Sequence, residues 1–85
     1  MDNINIKKSL LGYVNENYTI IEVLNDYVIA ENVNAPCEYV TWLVDSFPAT
    51  YGGYIHDFYY GHYFRLYSDA LQDLYERAAK NVSEV

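Results

Sequence analysis

Residues 51–65, YGGYIHDFYYGHYFR, hold five tyrosines, two phenylalanines, three glycines and both histidines of the chain. No other stretch is so dense in large side chains. Read with period two, Tyr54, His56, Phe58, Tyr60, His62 and Phe64 share one side, and Ile55, Asp57, Tyr59, Gly61 and Tyr63 share the other. Aromatic side chains suit a pleated, half-buried surface, so the stretch predicts a strand. Gly52-Gly53 marks the turn before it, and Gly61 predicts a bulge or a close backbone approach. The rings serve a core, a partner surface or both, because a strand has two faces.

The rest of the chain arranges itself around this strand. Residues 3–15 predict a short helix, capped by Asn3, with Ile6, Leu10, Tyr13 and Val14 on one face. Gly12 weakens it by about 1 kcal/mol relative to alanine. Residues 18–24 (YTIIEVL) and 27–33 (YVIAENV) predict a hairpin turning at Asn25-Asp26. In that hairpin Ile21 and Val23 share a face with Val28 and Ala30, and Glu22 and Glu31 share the other. Residues 38–45 (EYVTWLVD) predict a further strand, apolar on both faces. Ser68 caps a last helix whose apolar stripe is Leu71, Leu74, Tyr75, Ala78 and Val82. Asp73 with Arg77, and Glu76 with Lys80, are i,i+4 pairs on it.

The fold class expected is α+β in a single domain. An N-terminal helix precedes a mainly antiparallel sheet of three or four strands, and a C-terminal helix packs on the sheet. Short connections favour antiparallel neighbours, because parallel pairs need long crossovers.

Twelve acids against five bases leave a net charge of −7. Affinity for nucleic acid rests on Lys and Arg neutralising phosphates, so direct binding to DNA or RNA is not expected. Basic surfaces are the natural partners. No apolar run of about 18 residues is present, so no membrane span is expected. The first residues, MDNINIKKSL, lack a secretory pattern, and a lone Cys37 suits a reducing compartment; both predict a cytoplasmic protein.

No cofactor, metal or catalytic set is expected. His56 and His62 sit six residues apart, roughly 20 Å along a straight strand. Cys37 has no local partner motif for nucleophilic chemistry. The aromatic strand lacks the basic residue of RNA-recognition modules and carries Asp57 inside it.

YVTW at 39–42, YYGHYF at 59–64 and ALQDLYERA at 70–78 resemble a group of small uncharacterised proteins of Gram-positive bacteria and their mobile elements. In size and acidity the chain also resembles the anti-CRISPR and antirestriction proteins of phages and plasmids. That resemblance implies inhibition of a nucleic-acid-binding defence enzyme such as Cas9, by occupation of its basic cleft. Carboxylates then stand in for phosphates. The acidic candidates for contact are Glu22, Glu31, Asp45, Asp57, Asp69, Asp73 and Glu76. The aromatic candidates are Tyr54, Tyr59, Tyr60 and Tyr63. The alternative expectation is a homodimeric accessory protein that pairs through a tyrosine-rich sheet face.

Overall fold

The computed structural model describes residues 9–83, with side chains for residues 9–80. Five strands follow one another, β1 (Val14–Asn15), β2 (Tyr18–Leu24), β3 (Tyr27–Glu31), β4 (Tyr39–Pro48) and β5 (Tyr54–Phe64), and a helix α1 (Tyr67–Ser83) closes the chain. Each strand pairs antiparallel with the next, giving one sheet in the order β1-β2-β3-β4-β5. The sheet curls into a half-barrel. Its inner face holds the larger core, and α1 packs on the other face.

The expected helix over 3–15 is overturned where the structure describes it. Residues 9–12 form turns and Val14–Asn15 forms β1; residues 3–8 of the expected helix lie outside the described residues. Gly12 has φ of +89°, which no right-handed helix contains. Its amide donates to the Ile20 carbonyl, and the Ile20 amide donates to the Tyr13 carbonyl. Glu16 and Asn17 both turn through positive φ, the requirement of a tight hairpin, and so add a strand that the apolar spacing did not reveal. The sheet therefore has five strands instead of three or four, and α1 is the one helix among the described residues.

Two bulges decide which residue meets which core. Ile20 opposes Ala30 and Glu22 opposes Ile29, so Ile21 is an extra residue in β2. It turns toward α1 with Leu24, while Ile20 and Val23 stay on the inner face with Val28 and Ala30. The expected grouping of Ile21 with Val23 fails for this reason.

The second bulge lies in β5. Leu43 opposes Tyr59 and Thr41 opposes His62, so Tyr60 and Gly61 together face the single residue Trp42. Tyr60 takes φ of +55°. The alternation reverses there: Tyr54, His56 and Phe58 point inward with Tyr63, whereas His62 and Phe64 point toward α1. A Cβ on Gly61 would lie 3.0 Å from the Trp42 Nε1 and 3.1 Å from the Tyr63 ring. The glycine thus lets the indole lie across the backbone, as its place in the strand suggested. Gly61→Ala is expected to cost about 1–3 kcal/mol through forced movement of Trp42, read as a lower urea midpoint at unchanged slope.

The inner core joins Leu10, Tyr18, Ile20, Val28, Ala30, Val40, Trp42 and Val44. Its rings form a chain, Tyr18 to Trp42 at 5.9 Å, Trp42 to Phe58 at 5.2 Å and Phe58 to Tyr13 at 5.8 Å between centroids. Tyr18 also donates to the Cys37 carbonyl at 2.7 Å, tying the β3–β4 loop to β2.

The outer core puts Ala70 and Leu74 of α1 on Ile29, with Ile21, Leu24, Tyr27, Tyr39 and Phe64 around them. The buried stripe of the helix is Ala70, Leu74 and Ala78, whose two alanines let it approach the sheet, and Tyr75 is 57% exposed. The Leu66 carbonyl accepts the first helical bond, from Ala70. Ser68 therefore sits inside the first turn and is not the cap.

Candidate functional site

β3 stops at Tyr27, opposite Leu43. β4 and β5 continue past it as a two-stranded arm, closed by a turn in which the Ala49 amide donates to the Gly53 carbonyl at 3.0 Å. Gly52 and Gly53 take positive φ in that turn. Tyr13 packs against His56 and Phe58 and covers the inner side of the arm. α1 lies over the other end of the sheet. The outer side of the arm is left open, with Phe47, Ile55 and Tyr59 all exposed.

Two rules of surface design are broken side by side on this open face. Asp45 and Asp57 are directly opposed, and like charges in that position destabilise a pair of strands. The next pair on the same face is Phe47 with Ile55, two large apolar side chains in solvent. Behind Asp45, a shallow recess of about 360 Å³ is lined by Asp26, Leu43, Val44, Asp45, Tyr59 and Tyr60. Tyr59 donates to Asp57 at 3.2 Å, and Tyr60 stands 74% exposed beside it. Partial desolvation, the bond to Asp57, and the charges of Asp57 and Asp45 push the Tyr59 phenol above its ordinary value. The phenol stays a neutral donor between two carboxylates.

Four of the expected contact residues, Asp45, Asp57, Tyr59 and Tyr60, therefore converge on one surface. Tyr54 and Tyr63 are exposed but belong to the inner side of β5. The tyrosines of β5 are thus shared between its two sides.

The other acidic candidates separate into structural and surface roles. Glu22 accepts from the Tyr67 hydroxyl at 2.7 Å and ties β2 to the start of α1. Asp73 is only 19% exposed at its side chain. One of its oxygens accepts from the fully buried Thr41 hydroxyl at 2.6 Å and bonds the His62 Nδ1 at 2.9 Å. Arg77 donates to the Thr41 hydroxyl and carbonyl, lies 3.9 Å from Asp73, and stacks over Tyr27. Asp69 and Glu76 are exposed on α1, where Glu76 accepts from Gln72 at 3.0 Å. Glu31 is half-buried at the end of β3. Asp73, a contact candidate in the sequence, is in the structure a strut between helix and sheet. The i,i+4 pairing with Arg77 expected from the sequence is present at 3.9 Å, whereas Thr41 lies 32 positions away in the chain and was not visible as a partner.

His56 and His62 point to opposite faces. His56 Nδ1 meets the Ser46 hydroxyl at 2.7 Å, and His62 meets Asp73. Among the described residues no group of three His, Cys, Asp or Glu side chains is placed to hold a metal ion. No helix among them is long and apolar enough to cross a membrane.

The bond from Tyr67 to Glu22, with some desolvation, pushes the Tyr67 phenol up to about 12 from an ordinary 10. The folded chain thus keeps a proton that the unfolded chain releases. This contribution to stability is complete below pH ~10 and lost as pH rises toward ~12. In a phenolate absorbance titration, Tyr67→Phe is expected to remove the latest-ionising tyrosine, and Glu22→Gln to bring it back toward the ordinary range.

No family model matches the chain, and no curated protein or solved structure matches it either.

Proposed function

We propose that this chain is a non-enzymatic binding protein that docks the open face of its β4–β5 arm on the basic cleft of a nucleic-acid-binding enzyme. The observation that carries this reading is the opposed pair Asp45–Asp57, bordered by exposed Phe47, Ile55, Tyr59 and Tyr60. A surface that holds like charges together gains when cations neutralise them. Arg and Lys of a cleft built for phosphates supply those cations, and charge-assisted hydrogen bonds are the strong ones. The neighbouring rings and aliphatic side chains supply packing area, the usual source of slow dissociation. The net charge of −7 steers the encounter. The resemblance to anti-CRISPR proteins makes a defence enzyme the target class, and Cas9 the first to assay.

The homodimeric alternative would use Tyr54 and Tyr63 on the other side of β5, and light scattering of the free protein tests it. Asp45 and Asp57 are also the proper pair to neutralise, since altering Glu22 or Asp73 disturbs the fold itself. The Asp45→Asn, Asp57→Asn double variant is expected to fold at least as well as the wild type, because a repulsion is removed. It is expected to bind a Cas9–guide complex at least tenfold more weakly, about 1.4 kcal/mol, mainly through slower association. Binding of the wild type is expected to fall as salt rises, since exposed charges are screened beyond ~8 Å at ~0.15 M. Equal binding by both proteins across a salt series overturns the phosphate-mimic reading. Absence of binding to Cas9 and to restriction enzymes removes the defence-enzyme target.

A further inference from the structure

The direction of the β5 main chain can be read from its neighbour. The Val44 amide donates to the Asp26 carbonyl at 2.8 Å, on the β3 side of β4. In an antiparallel ladder, opposed residues either exchange both bonds or point both their groups outward, in opposite directions. Val44 opposes Phe58. The N–H and C=O of Phe58 therefore point out of the sheet edge, and those of Tyr54 follow by the same alternation. Among the described residues no strand lies on that side.

Natural edges are blunted by Lys, by Pro or by short length. β5 runs for eleven residues and contains no Lys, Arg or Pro. Its one interruption is the bulge at Tyr60-Gly61, which leaves Tyr54–Tyr59 as an unbroken edge of roughly 20 Å.

We propose that a partner adds a strand to this edge, and that the strand is an extended segment alternating Lys or Arg with apolar residues. The proposal rests on the docking reading above and specifies its chemistry. Side chains of an added strand alternate between the two sides of the sheet. On the outer side they meet Ile55, Asp57 and Tyr59, with Asp45 one strand further in. Long basic side chains fit there. On the inner side they meet Tyr54 and Phe58 and continue the ring surface that Tyr13 begins. Apolar side chains fit there. A second copy of this chain is the wrong occupant. It brings its own Asp45 and Asp57 to the same seam, with −7 on each molecule.

The test uses the full chain and two labelled peptides, one alternating lysine and valine, and a twin N-methylated at every second amide, on the valines. When the lysines lie beside Asp57, whose main-chain groups point to β4, the valines oppose Phe58 and carry the amides directed at β5. The parent peptide is expected to bind and to slow hydrogen exchange at the Phe58 amide. The N-methylated twin is expected to bind at least tenfold more weakly, because the charges are kept and the main-chain bonds are lost. Equal affinity of the twin, or unchanged Phe58 exchange under bound parent peptide, overturns strand addition while leaving the acidic docking reading in place. Failure of the parent peptide to bind also overturns it. A dimer in light scattering, with the Phe58 amide already protected, assigns the edge to a second copy instead. The docking reading fails separately, when the Asp45, Asp57 variant binds the enzyme target as the wild type does.

Discussion

Trp42→Ala is expected to leave most of the chain unfolded at ambient temperature. Trp42 is 4% exposed and stands at the middle of the inner core, against Tyr18, Phe58 and the backbone of Gly61. Truncating a buried aromatic residue costs about 3–5 kcal/mol. Domains hold roughly 0.05–0.15 kcal/mol per residue, so the loss approaches the whole stability of a chain of this length. The cavity cannot close easily, because the rings around it, Tyr18 and Phe58, are fixed by two other strands. Phe58→Ala is expected to cost less, since Phe58 is half-buried and the arm around it can settle. Circular dichroism during urea unfolding reads both variants. A wild-type midpoint for Trp42→Ala would place the core elsewhere.

The second large effect belongs to a residue that looks like surface in the sequence. Asp73→Ala is expected to destabilise the protein by about 2–3 kcal/mol, despite lying on the polar side of a helix. The change leaves the buried Thr41 hydroxyl without its acceptor and Arg77 without its countercharge. The exposure of His62 keeps the figure below that of a fully buried ion pair. Asp69→Ala, one turn earlier and exposed, is expected to cost about 1 kcal/mol or less. If Thr41→Val is added to Asp73→Ala, the losses should fall short of their sum, because the two groups serve one bond. Full additivity in that cycle would show that the short contact contributes nothing.

The outlines of β2 and β5 follow from β-branched and aromatic runs between turn residues, and the last helix follows from its apolar period. Those signals are local, so one segment is enough to see them. The expected first helix fails over its described residues because Leu10, Tyr13 and Val14 carry helical spacing by chance. The deciding facts are backbone ones: positive φ at Gly12, Glu16 and Asn17, which only pairing with β2 explains. The face assignments failed at Ile21 and Tyr60 for a related reason. A bulge is a mismatch between two strands and leaves little trace in either strand alone. Gly61 was such a trace, and it pointed to the right place.

The candidate surface was legible in composition but not in arrangement. Asp45 and Asp57 are twelve positions apart, and only the register of β4 on β5 opposes them. Glu22 and Asp73 carry the same charge and do a different task, because Tyr67, Thr41 and Arg77 happen to reach them.

The bulge at Tyr60-Gly61 acts on β5 as a shift of reading frame acts on a message. Upstream, even-numbered side chains belong to the inner core; downstream, His62 and Phe64 belong to the helix. Were the bulge drawn out into regular strand with both residues kept, one frame would run throughout. Tyr63 would then turn under α1, and Phe64 would turn to the opposite side. Point substitutions at the exposed Tyr60 should be mild by comparison. In the descent of such a chain, this strand can change its letters more freely than its length on either side of the bulge.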